Sequence, residues 1–142
     1  MSAILKEKYL DKKYENLTWG EILNSPVSAI SGVSEQDGKD LKEAFNIGTI
    51  LDFAQNKYVC LAQGINSFSK ASGQILDKAY ESKEFEDLKD KPISAISGIS
   101  ENDAALMKRA FGIDTIQELA ENKYVRITQI IASLALLEKL LS

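Results

Sequence analysis

Histidine is absent from the chain, which removes the commonest general base and the commonest metal ligand at neutral pH. The one cysteine, Cys60, has no partner for an internal disulfide and reads as a plain thiol. Only two prolines occur, Pro26 and Pro92, and few β-branched residues alternate with polar ones, so strands are disfavoured and helix is expected throughout. No apolar run approaches the ~20 residues that a membrane span needs. Charge arrives at Lys6, Glu7 and Lys8, too early for the apolar core of a signal peptide. A cytoplasmic protein is the simplest expectation. No glycine-rich phosphate loop appears. A net charge of −4 and a pI near 4.9 offer no long-range attraction to nucleic acid or anionic membrane.

What is present is internal duplication. Shifted by 66 positions, Pro26-Val-Ser-Ala-Ile-Ser-Gly-Val-Ser-Glu-Gln-Asp37 meets Pro92-Ile-Ser-Ala-Ile-Ser-Gly-Ile-Ser-Glu-Asn-Asp103, and Asn56-Lys-Tyr-Val59 meets Asn122-Lys-Tyr-Val125. From Leu10 to Ile65, 27 of 56 positions are identical, far above chance, and this spacing signals a repeated structural unit. The expected architecture is all-α: two tandem helical repeats of about 66 residues, at 1–74 and 75–142.

Each repeat divides by its cap chemistry. Thr18 and Glu21 have the spacing of a capping box. Ser25-Pro26 reads as a helix start with proline in the first turn, and Gly32 as its left-handed end. Ser34 then caps a helix over 35–45. Asn46 and Gly112, which share tolerance of positive φ, predict a left-handed C-cap in both repeats. Thr49 with Asp52, and Thr115 with Glu118, start further short helices, and long helices begin near Lys57 and Lys123. Ser67, Ser69, Ser72 and Gly73 predict a bend or break before Leu76–Tyr80, where the repeats would meet.

Ile30, Gly32, Val33, Gly38 and Leu41, and again Ile96, Gly98, Ile99, Ala104 and Met107, fall in the register of the helix-hairpin-helix motif, which this segment resembles. The trailing 45–53 and 111–119 also look like the segment after such hairpins in some members. The resemblance covers roughly a third of each repeat. It implies phosphate-backbone binding through hairpin amides at a helix N-terminus, as in many members of that family. The hairpin turns are Gly32-Val33-Ser34 and Gly98-Ile99-Ser100, so serine replaces the second hairpin glycine. Serine hydroxyls cap the amides that phosphate would use. Glu35 and Asp37, with Glu101 and Asp103, place carboxylates in the same field, and Lys39 faces Ala105 in the other repeat. These departures favour a scaffold for protein contacts, with nucleic-acid binding as the alternative.

Other features have plainer readings. Glu81, Glu84, Glu86 and Asp87 fit no calcium loop and read as a solvated helix face. Lys6, Lys8, Lys12 and Lys13 among Ile4, Leu5, Tyr9, Leu10 and Tyr14 make a basic amphipathic stretch that packs its apolar side on the body, or else touches an anionic surface. Trp19 and Phe85 are equivalent core anchors. On the last helix, Ile127, Ile130, Leu134, Leu137 and Leu141 form one stripe, while Val125, Leu136 and Leu140 lie on another side. That second side is the candidate interface, either for self-association or for a protein partner, unless the chain's own N-terminal helix folds back over it. The sequence thus predicts a non-enzymatic protein-interaction or assembly module, with no catalytic residues, metal ligands or cofactor.

Overall fold

Helix starts in this chain repeat one chemistry. The side chains of Thr18, Ser34, Thr49, Ser100 and Thr115 each accept a hydrogen bond from the backbone amide three residues on, and the carboxylates of Glu21, Asp37, Asp52, Asp103 and Glu118 accept one from the backbone amide of the cap residue. Both orphan amides of the pair are thereby satisfied. In the computed structural model, which describes residues 2–75 and 83–142 with side chains from 5–69 and 86–142, these caps open α2 (Trp19–Leu23), α3 (Glu35–Phe45), α4 (Ile50–Ala54), α7 (Glu101–Phe111) and α8 (Ile116–Glu121). The remaining α-helices are α1 (Ser2–Tyr9), α5 (Lys57–Ile75), α6 (Lys83–Lys89) and α9 (Lys123–Leu141). Asn56 and Asn122 cap α5 and α9 by accepting from the amides two and three residues ahead. Asn46 at φ 58° and Gly112 at φ 67° end α3 and α7 in the left-handed conformation.

The fold is mostly helical. Among the described residues extended backbone pairs only at single bridges, such as Pro26 with Thr49 and Pro92 with Thr115. These bridges alter one expectation. Pro26 does not enter a helix: at ψ 154° it is extended and precedes a 3-10 turn, Val27–Ala29. The Ile50 amide donates to the Ser25 carbonyl at 3.0 Å, so the proline is held in the bridge rather than in a first turn.

A second expectation is corrected at the serines. The helix α5 runs without interruption through Ser67, Ser69, Ser72 and Gly73 to Ile75. Val59, Ala62, Ile65, Asn66 and Ser69 are all buried on it, and fixing one side of a helix against the body outweighs weak local propensity. Leu76–Tyr80 lies outside the described residues, as does the side chain of Phe85.

The long helices cross. Helix α9 packs on α2 and α4, α5 packs on α6 and α8, and α3 lies against α7. Segments 1–74 and 75–142 therefore share one hydrophobic core, in which Ile22, Leu41, Phe53 and Val59 join Ile93, Met107, Leu119 and Val125. Where α5 approaches α9, Gln63 and Gln129 exchange amide hydrogen bonds at 2.9 Å in both directions. Their amides also donate to the Ala120 and Ala54 carbonyls. Partial burial of such groups is tolerable because they are paired.

Between α3 and α7 a charged pair is buried at one end. Asp40 is 2% exposed and accepts from Arg109 Nε at 3.1 Å and Nη2 at 2.6 Å. The Arg109 hydrogen bonds hold the Asp40 carboxyl below its ordinary range, with help from Gln36 and against the opposing effect of burial. No described helix is long and apolar enough to cross a membrane.

Candidate interaction surface

The hairpin turns are closed from the opposite half of the chain. Gly32 and Gly98 have φ of 94° and 100°, which L side chains rarely adopt. Above each sits a tyrosine from a long helix: a Cβ on Gly32 would meet Tyr124 Oη at 2.6 Å, and one on Gly98 would meet Tyr58 Oη at 2.5 Å. The Tyr124 hydroxyl also donates to the Gly32 carbonyl at 3.4 Å. Val33 and Ile99 point into the core.

The amides that the hairpins offer are engaged by carboxylates. Ser34 N–H donates to Asp37 Oδ2 at 3.1 Å, and Ser100 N–H donates to Asp103 Oδ2 at 3.3 Å. The Asp37 and Asp103 amides donate to the serine hydroxyls at 3.0 Å. An approaching phosphate would meet a tyrosine and two negative side chains at each turn, Asp37 with the exposed Glu35 at one and Asp103 with the exposed Glu101 at the other. Like charges at short range raise the free energy of such an encounter.

The N-terminal lysines are drawn partly into the body. Lys6 Nζ donates to the Leu17 carbonyl at 2.7 Å and lies 5.0 Å from the Trp19 ring centroid, an arrangement that combines a hydrogen bond with a cation–π contact. Lys8 and Lys13 lie over Tyr9 and Tyr14. Leu10 and Trp19 are core residues, with Leu5 and Tyr14 packed against them.

The candidate interface on α9 divides. Val125 is wholly buried as a member of the hydrophobic core. It belongs to the core and not to a surface with Leu136 and Leu140. Leu136 and Leu140 are 58% and 71% exposed, and Leu137 and Leu141 beside them are 49% and 78% exposed. Of the apolar stripe, Ile127, Ile130 and Leu134 line a cavity together with Ile131 and with Leu5 and Tyr9 of α1, so the chain's own N-terminal helix lies over that part, although Ile130 stays half-exposed. The last two turns of α9 carry four leucines into solvent.

Glu138, between those leucines, has a use that sequence pattern did not signal. Its carboxylate accepts from the Trp19 and Gly20 amides at 3.2 Å each, supplementing the Thr18 cap of α2 from the far end of the chain. A lone glutamate on a terminal helix carries no mark of such a partner. The pairings of Gln63 with Gln129 and of Asp40 with Arg109 are invisible in the sequence for the same reason.

No group of three or more metal-ligating side chains occurs among the described residues. Cys60 is exposed. Comparison with family models, with curated proteins and with solved structures finds no match.

Proposed function

We propose that this chain is a non-enzymatic protein-interaction or assembly module, built from two tandem repeats of about 66 residues that each hold a helix-hairpin-helix-like element. The observation that carries the proposal is the cluster Leu136, Leu137, Leu140 and Leu141, exposed together at the end of α9. Grouped exposed apolar side chains of this kind mark contact surfaces, whereas scattered ones do not. The 66-residue spacing of Gln63 and Gln129, which bond to each other, and the matched pairs Tyr58 with Gly98 and Tyr124 with Gly32 support the repeat reading. The carboxylate-capped, tyrosine-covered hairpins weigh against use of those turns for nucleic acid.

Sedimentation equilibrium on the intact protein and on a Leu136→Glu, Leu140→Glu double variant tests the proposal. Both positions are exposed, so the variant should fold with unchanged stability and lose self-association, or retention of a partner, that the wild type shows. A wild type that stays monomeric and partnerless at high concentration removes the basis of the proposal. So does salt-sensitive submicromolar binding to duplex DNA that Lys39→Glu abolishes, since non-specific binders reach only ~10⁻⁴–10⁻⁶ M at physiological salt.

A further inference from the structure

Beneath α1 lies a cavity of about 100 Å³. Leu5 and Tyr9 line it from α1, Trp19 from α2, and Ile127, Ile131 and Leu134 from α9. The lining is apolar. An engineered cavity of about 150 Å³ with comparable walls stays dry and admits benzene, so this space suits a chain end of a few carbons. Ile130, which lines the cavity, is 54% exposed and marks its mouth.

Outside the mouth, Ile130 and Leu134 continue into a shallow depression that Arg126, Gln129 and Ser133 complete. Arg126 and Ile130 stand four residues apart on α9, neighbours on one helix face. The Arg126 side chain is exposed, and its guanidinium enters no ion pair or hydrogen bond with a described residue. Neither residue is demanded by the framework that the two halves share, because the positions 66 earlier are Cys60 and Gly64. An apolar slot thus opens beside an uncommitted cation.

We propose that this site binds an unbranched alkyl chain ending in a carboxylate, with the methyl end between Trp19 and Leu134 and the carboxylate at Arg126. The cavity volume fixes how much chain is enclosed, and the charge at its mouth selects an anionic head.

Trp19 is the only tryptophan of the chain, so its emission reports occupancy in the intact protein. Titration with hexanoate, octanoate and decanoate below their micellar concentrations should give saturable changes. Affinity should tighten roughly fourfold per added methylene, the equivalent of its burial free energy, until the slot is full. Arg126→Glu should weaken decanoate about tenfold through loss and reversal of charge, and should leave 1-decanol unaffected. Ile130→Phe, at an exposed position, should weaken both. The Leu136→Glu, Leu140→Glu variant should bind decanoate as the wild type does, which separates this site from the leucine cluster. The proposal is overturned if Trp19 emission does not respond, if Arg126→Glu binds decanoate as tightly as wild type, or if the protein sediments with phosphatidylglycerol vesicles while ignoring free decanoate.

Discussion

The tyrosine over each hairpin can be weighed against backbone strain by changing three glycines to alanine. Gly112 has φ 67° with no atom within 4 Å of a Cβ position. Gly112→Ala therefore meets only the left-handed penalty, about 1–2 kcal/mol. Gly98 has φ 100°, and a Cβ there would lie 2.5 Å from Tyr58 Oη and 3.3 Å from its Cζ. The tyrosine cannot simply swing away, because its ring packs on Phe45 with centroids 5.1 Å apart. Overpacking of this sort adds about 1–3 kcal/mol, so Gly98→Ala should cost about 2–5 kcal/mol in all, a large share of the roughly 5–15 kcal/mol that a domain possesses. Tyr58→Phe removes the atom in closest conflict. In the Gly98→Ala background it should return part of the loss and leave a deficit near that of Gly112→Ala. Gly32 with Tyr124 should repeat the pattern. Urea midpoints followed by circular dichroism and by Trp19 emission give the double-mutant cycle. Equal losses for Gly98→Ala and Gly112→Ala, or no coupling between Gly98→Ala and Tyr58→Phe, would refute the idea that each long helix locks the other half's hairpin.

Changes at four single residues give further expected outcomes. Ser34→Ala and Ser100→Ala should each lower stability by about 1 kcal/mol through loss of the cap, visible as a shifted urea midpoint without a changed slope. The Asp40 carboxyl titrates lower in the folded protein than when unfolded, so its contribution is present above the unfolded carboxyl range and is lost as pH falls through the depressed folded value; urea midpoints measured from pH 6 to pH 3 should fall less steeply for Asp40→Asn than for wild type, and parallel curves would contradict this. Glu138→Ala should cost about 0.5–1 kcal/mol by uncapping α2 and should alter Trp19 emission, whereas an unchanged spectrum and midpoint would show the contact to be idle.

Sequence alone determined the local punctuation of this protein. Ser34 and Ser100 open helices where the cap pattern places them, and Asn46 and Gly112 close them in the left-handed conformation, because a cap is an interaction over three or four residues that side-chain chemistry specifies on its own. The hairpin glycines were legible for the same reason. The course of α5 was not: three serines and a glycine lower helix propensity, but burial of Val59, Ala62, Ile65 and Ser69 on one side decided the matter. Of the candidate interface, Leu136 and Leu140 are exposed as their pattern suggests, while Val125 is taken up by the core. Long-range packing, by contrast, set α9 against α2 and α4 and α5 against α6 and α8. With that packing came the pairing of Gln63 with Gln129, the Asp40–Arg109 contact, and the apolar slot under α1 beside Arg126. These residues lie tens of positions apart, and their types are ordinary on any helix surface. What brings them together is the burial of two apolar helix faces against each other's neighbours, a free-energy term that depends on area and is blind to sequence separation.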